Sequence, residues 1–465
     1  MSGNENPVTC KVLVPSGVLG AGCLAGAFDR GVALGPDCLA VDGGSTDSGP
    51  HYLGTATSKM TRAATKHDLR QLMLARDRLG VPLLVGSCGT SGTDAGVDWM
   101  AGIAREIARE EGLTARLALV YSEIEPAALR PYLEAGKIAP LDPALPLTAE
   151  RIAECDHIVG LLGYEPLADA IGKGADIVLS GRTTDTAVLS AVPLMRGLPA
   201  GASWHAAKTA ECGGLCTVET RRGGVFFTVD AQGFEIEPLD ADNSCTPYTV
   251  SAHLLYENSD PFRLKEPGVV LDASDAHYEA LDSRRVRVTN SRAETMPYTI
   301  KLEGAGGTGY RTMVFSAIAD PKLLARFDEW RANLEAYLRH GIANVLRIAD
   351  GDYGIEFRAY GKDALNPVPA EHVPHEIGLM TIVWADTQDR ATEIAKYCNP
   401  VLLHFPLNPD DPLPSFAFPF SPAEVELGRH YEFKLNHIVH VDRPDALART
   451  HFETIGEGVL HGEAW

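Results

Sequence analysis

Between Lys11 and Gly181, six short apolar runs alternate with longer stretches of helical period. The runs are Lys11–Pro15, Cys38–Asp42, Pro82–Ser87, Arg116–Glu123, His157–Gly163 and Asp176–Gly181. They are rich in Val, Leu, Ile and Ala, the pattern of strands buried on both faces. Between them, Cys23–Gly31, Thr61–Leu79, Val97–Gly112, Pro126–Ala135, a short segment opening at Thr148, and Pro166–Lys173 read as helices. A parallel strand pair needs a crossover that returns the chain, and a helix supplies it. The expected fold class is therefore α/β, with a doubly wound, mostly parallel sheet.

In such a sheet the loops that follow the strands share the carboxyl edge, where open α/β sheets bind ligands. Three of these loops are too polar and too glycine-rich to serve a core. They are Asp42-Gly-Gly-Ser-Thr-Asp-Ser-Gly-Pro50, Gly86-Ser-Cys-Gly-Thr-Ser-Gly-Thr-Asp94 and Ser180-Gly-Arg-Thr-Thr-Asp-Thr186. Hydroxyls and N–H groups hold an anion, and carboxylates hold a proton or a metal. Arg182 is the expected clamp for a substrate carboxylate, because its planar fork binds one bidentately. The competing reading pairs Arg182 structurally with Asp185 or a neighbouring acid. Asp47 and Asp185 are candidate catalytic bases. Ser45, Thr46, Ser91, Thr93 and Thr183 are candidate substrate-binding residues. The cofactor is left open; a divalent metal such as magnesium would fall to Asp42, Asp47 and Asp94. Aspartates beside Ser, Thr and Gly also cap turns, so each of these acids has that second reading.

Outside the loops, His205 and Glu211 are catalytic candidates, with Lys208 between them in Trp204-His-Ala-Ala-Lys-Thr-Ala-Glu-Cys212. His51 and His253 are alternates, although a lone histidine is more often a hydrogen-bonded core residue. Cys88 reads as a packing residue rather than a nucleophile. A rival enzyme class comes from Gly20-Ala-Gly22 and Gly26 after the first strand, with Asp42 ending the second. This is a loose dinucleotide fingerprint and keeps an NAD-dependent oxidoreductase open. Its bland counterpart is a glycine turn that lets a helix pack close to a strand.

The periodicity changes along the chain. Residues 1–200 form the expected main α/β domain. Residues 201–300 read as an irregular and β segment covering the site, with strands at Gly223–Asp230 and Arg285–Thr289. In residues 301–420, Tyr310–Ala319, Pro321–His340, Gly354–Tyr360, Glu376–Trp384 and Thr387–Cys398 follow the order strand, helix, strand, strand, helix. That order predicts a smaller ferredoxin-like α/β domain of split βαβ type. Residues 421–465 are a C-terminal tail. Within it, Asn436-His-Ile-Val-His440 reads as a strand that puts His437 and His440 on opposite faces.

Composition removes several classes. The net charge of −21 and the lack of a basic run argue against nucleic acid. No apolar run approaches the roughly 20 residues of a membrane span, and Met1–Pro7 does not resemble a leader. Nine scattered cysteines fit reduced thiols in a cytoplasm. Cys212 and Cys216, the one close pair, read as buried thiols near a turn rather than a zinc site.

Several strings carry a resemblance. They are Val41–Pro50, Gly86–Gly92, His157–Gly160, Gly181–Asp185, Trp204–Cys212, Tyr256–Arg263 and Lys301–Gly304. Through them the chain resembles, over nearly its whole length, the acyclic terpene utilisation AtuA family, once a domain of unknown function. The resemblance implies an enzyme of terpene and organic-acid catabolism that acts on a small carboxylate or acyl compound, with a lyase or hydratase-like role. It also implies a small partner protein, fused or separate, and the chain leaves no room for the fused form. The expected function is thus a catabolic lyase, hydratase or dehydratase in kind, in a homo-oligomer. The alternatives are the NAD-dependent oxidoreductase and a non-catalytic large subunit that needs its partner.

Overall fold

Side chains along the central strands sort into two sets. Leu13, Leu39, Val41, Leu83, Val85, Ile177 and Leu179 pack into one core, and Val12, Val14, Cys38, Ala40, Leu84 and Val178 into another. Successive residues of a strand point to opposite faces, so both faces of the sheet are covered. The computed structural model describes residues 8–366, 369, 373–414 and 416–456; the segments 1–7 and 457–465 lie outside them.

Five strands run parallel in the spatial order Cys10–Val14, Cys38–Asp42, Leu83–Gly86, Ile177–Ser180, Ala115–Tyr121. Beyond Cys10–Val14 the sheet continues antiparallel through Val225–Val229, Gly233–Pro238, Val286–Thr289 and His277–Ala280. Beyond Ala115–Tyr121 the strand Arg449–Ile455 closes it, also antiparallel. The fold is α/β, and the ten-stranded sheet is parallel at its centre and mixed overall.

Two readings of the sequence need correction here. The run at His157 is a strand, His157–Leu161, but it pairs antiparallel with residues 301–305 instead of joining the parallel set. An apolar run signals a strand without naming its partner, and Arg449–Ile455 takes the place beside Ala115–Tyr121. The stretch after residue 200 is not irregular at its start. It opens with the helix Ala200–Ala210, in which ten residues from Gly201 onward are buried. A helix with no polar face has no amphipathic stripe to read. Its small residues Ala202, Ala206, Ala207 and Ala210 share the core that holds Cys10, Cys38 and Ala40.

By contact the chain divides into one unit of residues 1–306 and 433–465 and a second of residues 307–432. In the second unit, Tyr353–Tyr360, Ile377–Ala385, residues 310–318 and the start of Glu424–His440 lie side by side. With the helices Phe327–Gly341 and Gln388–His404 this is the ferredoxin-like arrangement. The helix expected over Pro321–His340 is two, Pro321–Ala325 and Phe327–Gly341, separated at Arg326. In the first unit, His437 is buried with Nε2 2.9 Å from the Leu145 carbonyl, and His440 is exposed. The two therefore do face opposite ways.

The polar loops stack tightly at the carboxyl edge. A Cβ on Gly92, whose φ is +66°, would sit 2.1 Å from the backbone nitrogen of Arg182, whereas one on Gly102 would meet nothing within 4 Å. Gly92→Ala is therefore expected to lose about 2–4 kcal/mol in urea denaturation. Gly102→Ala, inside the helix Asp94–Glu111, is expected to gain up to about 1 kcal/mol. Equal stabilities for the two variants would refute the tight stacking.

Candidate functional site

Backbone hydrogen bonds lace the three loops together. Gly43 N–H donates to the Gly86 carbonyl (2.8 Å), Ser87 N–H to Gly181 (3.0 Å), Cys88 N–H to Ser180 (2.9 Å) and Arg182 N–H to Gly92 (3.2 Å). Beneath this lacing lies Arg182, 5% exposed. Its Nε–H donates to Glu303 Oε2 (3.1 Å). Nη1 donates to Ser87 Oγ and to the Thr183 carbonyl, both at 3.1 Å. Nη2 reaches Ser45 Oγ (3.5 Å) and Thr46 Oγ1 (3.4 Å). All five donors of the fork are thus used. Arg182 is not an open clamp for a substrate. The structural pairing is what the chain adopts, with Glu303 as the near partner and Asp185 at 3.6 Å.

Glu303 is equally buried and takes Thr46 Oγ1–H on Oε2 (2.7 Å) and Lys301 Nζ on Oε1 (2.8 Å). Burial works against its charge, but Arg182 and Lys301 more than offset this and hold its carboxyl at about 2. Arg182 is held protonated in the same way, burial being outweighed by Glu303, Asp185 and Asp42.

In front of the pair lies a cavity of about 280 Å³ lined by Asp42, Gly44, Ser45, Asp47, Lys59, Asp185, Cys212, Tyr256 and Glu257, among others. Asp42 ends its strand; Oδ2 accepts Gly44 N–H (2.8 Å), and Oδ1 is buried without a hydrogen-bond partner among the described residues. Burial, then repulsion from Asp185, pushes its carboxyl well above the usual range. Asp185 is the first residue of the helix Asp185–Met195, capped by Thr184. Burial pushes its carboxyl up, Arg182 draws it back, and it settles at about 6. Asp47 is exposed; Ser45 Oγ donates to its Oδ2 (2.6 Å) and accepts its N–H (3.1 Å), so Asp47 is held in a short turn that Ser45 caps and walls the cavity at once.

Behind Asp185 sits a second group of buried charges. Lys208 Nζ meets Glu211 Oε1 at 2.5 Å and donates to the Tyr256 carbonyl (3.1 Å). Burial raises the Glu211 carboxyl above the usual carboxylate range, more than the neighbouring Lys208 ammonium pulls it down. Burial lifts Glu266 to about 7, and the Thr186 hydroxyl donates to it.

Other candidates are placed elsewhere. His205 is fully buried, with Nδ1 2.7 Å from Ser291 Oγ and Nε2 3.2 Å from Tyr278 OH. Burial lowers it to about 3, so it is a neutral core histidine rather than a catalytic acid or base. Glu211 lies roughly 120° round the same helix, which is why the two diverge. Thr93 caps the helix Asp94–Glu111, and Ser91 donates to the Tyr52 carbonyl (3.3 Å). Thr46 serves the Arg182–Glu303 pair through its hydroxyl, and Thr183 through its backbone carbonyl. Of the five hydroxyl candidates only Ser45 lines the cavity; those of Thr46, Ser91 and Thr93 satisfy a buried charge, a carbonyl and a helix end, and that of Thr183 is buried without a hydrogen-bond partner among the described residues. His51 is exposed on the helix Pro50–Thr55 and is not a lining residue.

Asp94 accepts Arg449 Nη2 (2.5 Å), and its N–H donates to Glu123 Oε2 (2.8 Å). Asp42, Asp47 and Asp94 therefore do not assemble as a ligand set. Among the described residues one group of three potential ligand side chains does assemble: Glu211, Cys212 and His253. The glycine turn is also occupied, since Gly20 and Gly22 N–H groups donate to buried Asp68 Oδ2 (2.9 and 3.0 Å) where a pyrophosphate would need them. Cys88 is fully buried and burial raises its thiol strongly.

Lys59, Tyr256, Glu257, Glu266 and Glu303 were not anticipated as site residues. Tyr256 and Glu257, like Lys301 and Glu303, do lie in strings that carried the family resemblance, and a charge inside an apolar strand was a readable signal for Glu303. Glu266, in the strand Arg263–Glu266, gave none.

Sheet and site together define an α/β protein with a small, acid-lined cavity at the carboxyl edge of its parallel strands. The chain belongs to the acyclic terpene utilisation family AtuA, whose profile, described as acyclic terpene utilisation family protein AtuA, matches residues 82–217 and 228–407. Membership implies involvement in acyclic terpene catabolism. Arg182, Asp185, Glu211 and Glu303 fall in the matched ranges, and the loop Asp42–Pro50 precedes them. No curated protein and no solved structure matches the chain. No helix among the described residues is long and apolar enough to cross a membrane.

Two measurements check this anatomy. Glu303→Gln strands the buried guanidinium, so it is expected to lose about 3–5 kcal/mol of stability in urea denaturation; a loss below about 1 kcal/mol would show that the pair does not hold the loops. Away from the cavity, His157 Nδ1 lies 2.6 Å from Glu123 Oε1. That bond raises His157 above its ordinary 6.5. The pair therefore stabilises the fold below pH 6.5 and loses this contribution as pH rises through the raised value. An NMR titration should place His157 above 6.5 and find it lowered in Glu123→Gln; no change in the variant would count against the pair.

Proposed function

We propose that the chain is a lyase of the hydratase or dehydratase kind, acting on a small carboxylate or acyl compound in the cavity at the carboxyl edge. The observation that carries the reading is the presence of Asp42 and Asp185 on one cavity wall, in environments that hold their protons to different degrees. Two carboxyls separated in this way supply an acid and a base near neutral pH. Asp185, ionised above about 6, removes a proton from the carbon next to the acyl carbonyl. Asp42, which retains its proton, gives it to the departing hydroxyl. The C–O bond breaks, a C=C bond forms and water leaves; solvent then returns a proton to Asp42 and takes one from Asp185. Lys59, the cation among the cavity-lining residues, meets the substrate's anionic end, because Arg182 has no donor to spare. A cavity of about 280 Å³ suits a short substrate.

The occupied glycine turn favours this reading over a nicotinamide enzyme. The test is incubation with short 3-hydroxy acids and their acyl thioesters in D₂O, followed by NMR for dehydration and for deuterium at the α-carbon. Asp185→Asn is expected to lower kcat about 10²–10⁴-fold, with the melting temperature kept, and Lys59→Ala to act chiefly on KM. Turnover that persists in Asp185→Asn would sink the assignment, and stabilisation by NAD with no response to any acid would move it to the oxidoreductase class.

A further inference from the structure

Glu211 ends the buried helix Ala200–Ala210, Cys212 follows it, and His253 opens the short turn His253–Leu255. A carboxylate oxygen of Glu211, the Cys212 sulfur and a ring nitrogen of His253 lie within 4.8 Å of one another. His253 is 5% exposed, and its Nε2 is buried with no hydrogen-bond partner among the described residues. Cys212 is at the same time part of the cavity wall. We propose that Glu211, Cys212 and His253 bind a divalent ion of the zinc class, with its remaining coordination position toward the cavity.

The donor set selects the ion. One thiolate, one imidazole and one carboxylate suit zinc and its neighbours, whereas magnesium and calcium take oxygen ligands. Three protein ligands with a fourth position left to water or substrate is the pattern of catalytic rather than structural zinc. Zinc bonds of roughly 2.0–2.3 Å put tetrahedral ligand atoms roughly 3.3–3.8 Å apart, so closing on the ion asks about 1 Å of side-chain movement.

Charge fits as well. A thiolate and a carboxylate cancel the two charges of the ion, so the buried site is neutral. Lys208 engages Oε1 of Glu211, which leaves the second oxygen for the metal and orients the carboxylate, the usual work of a group behind a metal ligand. Asp185 and Glu257 on the cavity wall, with Glu266 buried nearby, place further acidic groups around Glu211 and Cys212.

The site does not depend on the lyase reading, and its test uses no substrate. The full chain, reduced and stripped with a chelator, is titrated with Co²⁺ alone. The expected result is one equivalent bound per chain, with the near-ultraviolet charge-transfer band of a cobalt–thiolate bond. Cys212→Ser should abolish the band and Cys216→Ser should keep it. His253→Gln should weaken Co²⁺ binding at least about 10–100-fold, and it reads the same point should Cys212→Ser fail to fold. A chain that takes up no saturable equivalent, a band that survives Cys212→Ser, or unchanged affinity in His253→Gln would overturn the site. Ion binding without deuterium exchange would count against the lyase reading alone.

Discussion

The buried ion pair of Arg182 and Glu303 is the contact on which the carboxyl edge depends. Taking two charges out of water costs several kcal/mol per ion, and their attraction repays this only when every remaining donor and acceptor is met. Here that condition recruits Ser45 and Thr46 from the first loop, Ser87 from the second, Thr183 from the third and Lys301 from the strand that carries Glu303. No loop can move without stranding a charge. The cavity in front inherits its shape from this demand, because Asp42, Ser45, Asp47 and Asp185 stand on the same loops.

This clarifies why so many polar residues gather where so few touch the cavity. A guanidinium hidden behind the wall leaves the wall itself acidic, with Lys59 facing Asp42, Asp47, Asp185 and Glu257. An acidic wall of this kind retains protons and attracts cations. Proton transfer and metal binding are the two chemistries it favours.

The parallel strands and their loops were legible because their signals are local: apolar runs, helical spacing, glycines and hydroxyls after each strand. The buried helix Ala200–Ala210 was hidden by the lack of a polar stripe, and the partner of His157–Leu161 because pairing is not written in periodicity. Arg182 was recognisable as important, but its role was not, since Glu303 lies 121 residues away. The same limit applied to the hydroxyls. Ser91 and Thr93 have the right chemistry for a ligand, and only the fold shows that a carbonyl and a helix end have already claimed them. His205 and Glu211 share a helix, yet one faces Tyr278 and the other Lys208.

The strand Arg449–Ile455 follows the whole of residues 307–432 in sequence, yet it pairs with Ala115–Tyr121. During synthesis the edge of the parallel sheet must wait for it. Until residue 449 leaves the ribosome, Ala115–Tyr121 presents unpaired N–H and C=O groups, a template for strands of other chains. The ion pair between Arg449 and Asp94 then fastens the latecomer beside the second polar loop. A nascent or truncated chain would thus be a species prone to association, and the strand Arg449–Ile455 acts as the clasp that ends this exposure.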